Sequence, residues 1–314
     1  MKISQVIEAY LVSRRSVGVR LESGQRALFQ FARELADCPF DKVTPEAVAK
    51  FLQGRGPINA AWTTKFKLLT GLYRYAISRG YIDKSPLPTE VPALPPQLTP
   101  YVYSTAELNR LADATKVIHH SAYPLQAAAM KSLLLLLYGT GLRVSEALSL
   151  KISDVNLRES LLTIRDTKFY KTRLVPLGHR VTKELASHLE RRALLPKPDG
   201  DDSAVFAIRT GTALGYRQVN DWFLRIRMEA GIVAPPGETH PPRLHDLRHT
   251  AVVHRVVNWY RSGNDVQRLL PHLATYLGHV DIKSTQRYLR MTPELLEEAS
   301  RKFAAYANVE VDHA

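Results

Sequence analysis

A cluster of six prolines near residue 90 constrains the fold more than any other feature of this sequence. The cluster consists of Pro86, Pro88, Pro92, Pro95, Pro96 and Pro100. Because each proline fixes φ and removes a backbone N–H donor, neither an α-helix nor a central β-strand can run through this stretch. We predict an extended, stiff linker over residues 85–102. The linker would separate an N-terminal domain, residues 1–84, from a larger domain, residues 103–314.

The N-terminal domain has the apolar spacing of amphipathic helices. Apolar stripes at three- and four-residue intervals occupy residues 3–11, 28–35, 48–52 and 62–77. The third stripe follows Thr44 and Pro45, which place a hydroxyl at the cap and a proline at the first helical position. We therefore predict a small domain of four helices.

Beyond the linker, helical patterns dominate again and short β-prone runs interrupt them. We predict helices near residues 104–114, 124–137, 143–150, 179–193, 215–230, 244–258, 264–276 and 292–306. Residues 161–164 and 174–177 flank a polar turn and indicate a β-hairpin, in which Pro176 favours an edge strand. Residues 204–208 are a candidate third strand. The predicted fold class is mainly α with a small β-sheet.

The charge of the chain favours a polyanionic partner, of which nucleic acid is the commonest. The formal net charge is +13, and residues 1–100 hold +6 of it against +7 for residues 101–314. The N-terminal domain is therefore about twice as basic per residue. It fits a structural bundle and a DNA clamp equally well. The clamp's candidate phosphate contacts are Arg14, Arg15, Arg20, Arg55, Lys65 and Lys67.

Several classes of protein are excluded by what the sequence lacks. A single cysteine, Cys38, cannot build a disulfide framework or a cysteine-rich metal site, and it fits a reducing compartment. The longest apolar run, residues 133–138, is far below the ~18 residues of a membrane span. No histidines and carboxylates have a recognised ligand spacing. We expect a cytoplasmic protein with no metal or cofactor and no membrane partner.

Two short motifs in the larger domain combine groups that suit phosphate chemistry. Arg143 and Glu146 are spaced so that the carboxylate can orient the guanidinium, although the same pair is also typical of a helix surface. His245 and Arg248 lie on one helical face. There, an imidazole can transfer a proton while a guanidinium holds a phosphate oxygen.

A third motif, Gly278-His279, precedes Tyr288 by nine residues. A tyrosine hydroxyl is a poor nucleophile at its ordinary pKa of about 10. It becomes effective when cations hold the electrophile and a proton acceptor is close. Nothing local separates Tyr288 from Tyr276 or Tyr306 as the candidate nucleophile.

Together the motifs resemble those of the tyrosine recombinases, also called the phage integrase family. Their order is Arg143, a hairpin lysine, His245-x-x-Arg248, Gly278-His279 and Tyr288. The Xer-type members are the most similar in size and layout. The resemblance covers most of the chain, since the N-terminal domain is similar to the family's core-binding domain and the rest to its catalytic domain.

The resemblance places a catalytic lysine in the turn of the hairpin. The family pattern is Gly-Lys-Gly-x-Lys-x-Arg before a Val-Pro-Leu strand, and alignment on that strand selects Lys168. Thr167 and Phe169 replace the two glycines, so the turn geometry must differ. Lys171 therefore stays open as the alternative.

The resemblance implies a site-specific recombinase that cuts and rejoins double-stranded DNA through a 3′-phosphotyrosyl intermediate. Tyr288 would be the nucleophile, with Arg143 and Arg248 on the phosphate. Lys168 would protonate the leaving 5′-oxygen and His245 would assist proton transfer at the tyrosine. The resemblance also implies that His279 donates a hydrogen bond to a phosphate oxygen and that Glu146 supports the site without contacting the phosphate.

Family members commonly donate a C-terminal helix to a neighbour, so the resemblance implies a homo- or hetero-tetramer on DNA. The divergent hairpin turn favours an enzyme of a mobile element. The alternatives are housekeeping Xer-type dimer resolution, a DNA-binding relative that does not cut and a type IB topoisomerase activity. A basic helical scaffold for a protein partner is the remaining alternative.

Overall fold

The structure is a computed structural model whose described part has gaps. The described residues are 1–19, 21–93, 99–119, 125–165, 172–234, 240–278, 285, 297–298 and 300–301. The chain divides into two compact units, Met1–Leu98 and Thr99–Ala314, and the division falls within the predicted linker. In the described part of the chain, no helix combines the length and apolarity that a membrane span requires.

Four α-helices make up the described part of the N-terminal unit, as the apolar stripes predict. They are α1 (Ile3–Ser16), α2 (Glu22–Glu34), α3 (Pro45–Gln53) and α4 (Ala60–Ser78). Their apolar faces share one core, in which Phe31, Leu52 and Leu72 are buried. The predicted start of α3 is confirmed, because the Thr44 hydroxyl accepts a hydrogen bond from the Ala47 N–H at 3.3 Å.

One helix of the C-terminal unit packs against several of the others. The helices are α5 (Thr105–Ala114), α6 (Leu125–Thr140), α7 (Val144–Leu148), α8 (His179–Arg192), α9 (Tyr216–Glu229), α10 (Asp246–Arg261) and α11 (Val266–Leu277). Helix α6 is predominantly apolar, and Met130, Leu133 and Leu137 are buried in the main core. A helix of this composition is stable only when other elements cover it, and α5, α8 and α10 all pack on α6.

The end of α6 differs from its prediction. The sequence suggested that the helix ends before Gly139, but it continues to Thr140 and stops where Gly141 adopts a left-handed φ of 64°. Gly139 serves packing instead, since an added Cβ would collide with Cγ2 of Val181 in α8. The small residue lets α6 and α8 approach closely.

The sheet confirms the predicted hairpin and corrects the predicted third strand. Its described strands are β1 (Val155–Asn156), β2 (Leu161–Ile164) and β3 (Arg173–Pro176), antiparallel in that order. Pro176 lies on an edge strand, as predicted. Residues 204–208 form isolated bridges rather than a strand, and Val205 and Phe206 are buried in the core. A short apolar run indicates that a segment is buried, but its periodicity does not by itself show whether the segment is a strand.

The predicted C-terminal helix, residues 292–306, lies largely outside the described residues. Among its described residues, Glu298 is buried and accepts a hydrogen bond from Nε of Arg261 at 2.8 Å. Arg301 lies within 3.4 Å of the same carboxylate. This contact joins one turn of the C-terminal segment to α10 of the same chain.

His188 generates a prediction about stability at low pH. Its ring is 4% exposed, stacks on Phe206 and contacts the Val205 carbonyl through Nε2 at 3.0 Å. Burial lowers the pKa of His188 from 6.5 to about 4. Because the folded-state pKa lies below the unfolded one, protonation favours unfolding. The stability that His188 contributes is therefore complete above pH 6.5 and is lost as the pH falls towards 4.

We expect the His188→Gln variant to lose less stability in acid than the unaltered protein. The titration of His188 accounts for about 2 kcal/mol of unfolding free energy between pH 7 and pH 5. Urea unfolding at the two pH values, followed by circular dichroism, measures this difference. His272→Gln, at an exposed site in α11, is the matched control. An acid loss that is the same in all three proteins would contradict the prediction.

Candidate active site

Arg143 and Glu146 form a reciprocal pair at the start of α7. Arg143 is the residue before the first helical position, and Glu146 lies one turn later. The Arg143 backbone N–H donates to Glu146 Oε2 at 3.0 Å, and its Nη1 donates to Oε1 at 2.7 Å. The pair fixes the direction of the Arg143 guanidinium. The Arg143 side chain is still 35% exposed.

Arg173 is a second guanidinium on the same carboxylate. Its Nη1 and Nη2 donate to the two oxygens of Glu146 at 3.1 and 2.9 Å. Burial by itself raises the pKa of Glu146. Hydrogen bonds from Arg173 and from the Arg143 backbone, with both positive charges, outweigh burial and lower this pKa to about 2. Sequence reasoning missed Arg173, and its place at the base of the lysine hairpin is the signal that could have found it.

Arg248 lies in the first turn of α10 and joins three helix ends. Its guanidinium donates to the Gly141 carbonyl after α6 and to the Leu277 carbonyl at the end of α11, the latter at 2.9 Å. The residue is 2% exposed. The left-handed turn at Gly141 presents one carbonyl, and the C-terminus of α11 presents the other.

His245 precedes α10 by one residue, one turn before Arg248. The residue is exposed by surface area, yet enough protein surrounds its ring for burial to lower its pKa. The positive charge of Arg248 is the next cause, and Arg143 acts in the same direction, whereas Asp246 opposes them. At neutral pH the ring is therefore uncharged and can accept a proton.

The first turn of α10 is anchored by a buried carboxylate. Asp246 accepts hydrogen bonds from the backbone N–H and from Nη2 of Arg243, both at 2.8 Å. The Thr250 hydroxyl donates to the Asp246 carbonyl and accepts from the Tyr103 N–H at 3.0 Å. These contacts hold the backbone that carries His245 in one position.

Four predicted site residues lie outside the described residues, namely Lys168, Lys171, His279 and Tyr288. The described residues that flank these two gaps, one in the hairpin and one after α11, contact the site. The last pair of the hairpin is Ile164 with Arg173, and Arg173 contacts Glu146. Helix α11 ends at Leu277, whose carbonyl contacts Arg248, and Gly278 follows directly before His279.

A basic groove runs between α1 and α4 of the N-terminal unit, with a volume of about 650 Å³. Its cationic lining residues are Arg14, Lys67 and Arg74, and Ser13, Thr64 and Ser78 add hydroxyls. None of the described lining residues is acidic. Nε of Arg14 is buried without a hydrogen-bond partner among the described residues. Such a groove can accommodate a chain of anionic groups.

The six predicted phosphate contacts fall in different places. Arg14 and Lys67 line the groove, whereas Arg55 is exposed elsewhere and Arg20 lies outside the described residues. Arg15 donates to Gln25 at 2.9 Å. Lys65 donates to the Phe51 carbonyl at 2.6 Å and lies 4.4 Å from the Phe51 ring centroid, so its ammonium completes the end of α3. Arg74 was not among the six.

The described part of the site combines two arginines that cannot lose their charge with one imidazole that is neutral at pH 7. Such a set can hold a phosphate and accept a proton beside it. The structure brings Arg143, Glu146, His245 and Arg248 together from segments far apart in the sequence. Across the described ranges, no group of three or more His, Cys, Asp or Glu residues could hold a metal ion.

Comparison with known proteins identifies the family. The model of the phage integrase family matches residues 104–294. A putative integrase/recombinase of Sinorhizobium fredii, y4rB, is 32% identical over 95% of this chain and 96% of its own length. Tyrosine recombinase XerC of Oceanobacillus iheyensis is 30% identical over 78% of this chain and 74% of its own length.

Solved structures show the same fold. The Tn1549 transposon integrase in complex with transposon right-end DNA has a TM-score of 0.69 at 17% identity. The alignment covers 98% of this chain and all of that one. XerH site-specific recombinase bound to a palindromic difH substrate has a TM-score of 0.65 at 21% identity, covering 95% of this chain and 83% of that one. The predicted mainly α fold of the tyrosine recombinase type is confirmed, and the chain belongs to the phage integrase family.

Proposed function

We propose that this phage integrase family member is a site-specific recombinase that cuts and rejoins double-stranded DNA through a covalent link to Tyr288. The observation that carries the proposal is the convergence of Arg143 and Arg248. Arg248 donates to the carbonyl of Gly141, two residues before Arg143, and His245 lies one turn before Arg248. These residues bring two permanent cations and a neutral proton acceptor to one place. Similarity to curated recombinases along nearly the whole chain supports the same reaction.

The arginines suit the charge that develops on a phosphodiester under attack. Negative charge accumulates on the non-bridging oxygens in the transition state, and a guanidinium can donate parallel hydrogen bonds to them. Arg143 would reach the phosphate with its exposed face. Arg248, which is 2% exposed and donates to the Gly141 and Leu277 carbonyls, would add a fixed positive charge beside the phosphate. Losing one preorganised donor of this kind typically raises the barrier by about 3–4 kcal/mol.

The bonds exchanged in the proposed reaction balance without an energy source. The Tyr288 oxygen attacks phosphorus and loses its proton with help from His245, while the bond from phosphorus to the 5′-oxygen breaks. Lys168 protonates the leaving 5′-oxygen, and His279 donates a hydrogen bond to a phosphate oxygen. A 5′-hydroxyl from a partner strand then reverses the steps. One ester replaces another each time, so no nucleotide cofactor is required.

We also propose that the groove between α1 and α4 holds the DNA backbone. Its three cations, Arg14, Lys67 and Arg74, share a lining of hydroxyls without a carboxylate among its described residues. Phosphate contacts of this kind position a protein on DNA and carry no base sequence. Lys65 is better explained as part of the end of α3.

A tetramer on DNA, of identical or related subunits, is part of the proposal. One solved relative of similar fold is a lambda integrase tetramer bound to a Holliday junction. The predicted C-terminal helix, residues 292–306, would reach a neighbouring subunit. That exchange would have to replace the ion pair between Arg261 and Glu298 within the chain.

For the biological programme we propose a mobile element. Relatives along nearly the full chain are named putative integrase/recombinases, and one structure of similar fold is a transposon integrase. The second candidate is Xer-type dimer resolution, which the similarity to XerC favours. Direct or inverted repeats flanking the gene, and its excision with them, would support the mobile element.

The nucleophile is tested by trapping the covalent complex. The DNA site is first selected from random duplexes. A nick is then placed next to the cleavage position, so that cleavage releases the short strand whose 5′-hydroxyl would reverse the reaction. We expect a covalent protein–DNA band from the unaltered protein and none from Tyr288→Phe, because the phenol oxygen forms the bond. Tyr306→Phe is the matched control and should form the complex. A complex formed by Tyr288→Phe would refute the assignment.

The hairpin lysine is tested with a leaving group that needs no proton. We expect Lys168→Ala to slow cleavage by about a hundredfold, the usual size of general acid catalysis. A 5′-thiol leaving group should restore most of that rate. Lys171→Ala is the matched control, with little loss on either substrate. Thiol rescue of Lys171→Ala alone would move the role to Lys171.

The groove is tested by the salt dependence of DNA binding. Arg74→Ala should weaken binding to all sequences and reduce the slope of log K against log salt by about 1, because one phosphate contact is lost. Lys67→Ala should behave in the same way. Lys50→Ala, at an exposed position of α3 outside the groove, should leave the slope unchanged. Equal slopes for all four proteins would place the DNA elsewhere.

A further inference from the structure

Arg173 differs from Arg143 in where its nitrogens point. All three of its guanidinium nitrogens donate to protein oxygens: Nε to the Tyr276 carbonyl at 3.1 Å, and Nη1 and Nη2 to Glu146 at 3.1 and 2.9 Å. Its side chain is 11% exposed, against 35% for Arg143. The guanidinium of Arg173 therefore faces the protein, whereas part of the Arg143 guanidinium faces solvent.

The Glu146 carboxylate is shared between the two arginines. Oε1 accepts from Nη1 of each arginine, and Oε2 accepts from the Arg143 backbone and from Nη2 of Arg173. With both arginines present, the trio has a net charge of +1. Without Arg173, the carboxylate and Arg143 would form a neutral pair, and Arg143 could rotate both terminal nitrogens onto Glu146.

Arg173 also links the hairpin to the end of α11. Its Nε bond to the Tyr276 carbonyl is followed one residue later by the bond from Arg248 to the Leu277 carbonyl. Two arginines thus occupy successive carbonyls at the negative end of one helix. The guanidinium fits there because residue 278 is glycine, since an added Cβ would lie 2.7 Å from Nη1 of Arg173.

We infer that Arg173 is a positioning residue of the recombinase site. It neutralises Glu146, which leaves the exposed face and the charge of Arg143 available to the phosphate. It also ties β3 to the end of α11. This inference rests on the proposed function, because the exposed face of Arg143 matters only if Arg143 holds a phosphate. Lysine could supply the charge of Arg173, but its compact ammonium lacks the planar fork of three nitrogens that reaches Glu146 and the Tyr276 carbonyl together.

We expect a second substitution, Glu146→Gln, to suppress part of the defect caused by the loss of Arg173. In single-turnover cleavage of the nicked substrate by the full chain, Arg173→Gln should be roughly a hundredfold slower, comparable with loss of a preorganised donor. DNA affinity should change less than about twofold, since Arg173 does not face the solvent. Adding Glu146→Gln to this variant should recover about tenfold in rate, because a neutral amide no longer holds Arg143.

Two further variants separate charge from geometry and from folding. Arg173→Lys should cleave at a rate between those of the unaltered protein and Arg173→Gln, because it keeps the charge and loses the fork. Arg158→Gln, at an exposed position, is the matched control and should cleave normally. A purely structural role for Arg173 would make the double variant no faster than Arg173→Gln, and that result would overturn the inference.

The outcomes also distinguish this inference from the proposed function. Absence of any covalent complex with the unaltered protein would refute the proposed function. Normal cleavage by the unaltered protein and by Arg173→Gln alike would refute the role of Arg173 alone. Recovery in the double variant, with unchanged DNA affinity, would support both.

Discussion

The buried guanidinium of Arg248 is the interaction on which the C-terminal unit's site depends. It joins the loop after α6, the first turn of α10 and the last turn of α11 through the Gly141 and Leu277 carbonyls. Buried carbonyls at helix ends require donors, and a planar guanidinium can serve two of them at once. The segment that leads to His279 is thereby anchored to the helix that follows His245.

Glu146 is the centre of a second set of contacts in the candidate site, because it accepts hydrogen bonds from two arginines. An ionised carboxylate between Arg143 and Arg173 is stable because both of its oxygens are fully hydrogen-bonded. It orders one arginine that faces solvent and another that faces the protein. In the proposed function, positive charge is used in three ways: on the reacting phosphate, within the protein and along the basic groove of the N-terminal unit.

Local patterns predicted most of the helices, because apolar periodicity and capping residues act within a few positions of one another. The start of α3 at Thr44 is an example. Predictions failed where burial by distant residues decided the outcome. Val205 and Phe206 are buried although their segment forms only isolated bridges, and Gly139 lies inside α6, where Val181 of another helix packs against it.

By itself, the sequence determined the family and the mainly α fold class, since these depend on residue identity, order and apolar periodicity. Only the tertiary structure decided which charged groups share partners. Arg173 reaches Glu146 across 27 positions, and Lys65 contacts the Phe51 carbonyl rather than solvent. The role of a charged side chain depends on the groups that surround it in space, and packing between helices and strands brings those groups together.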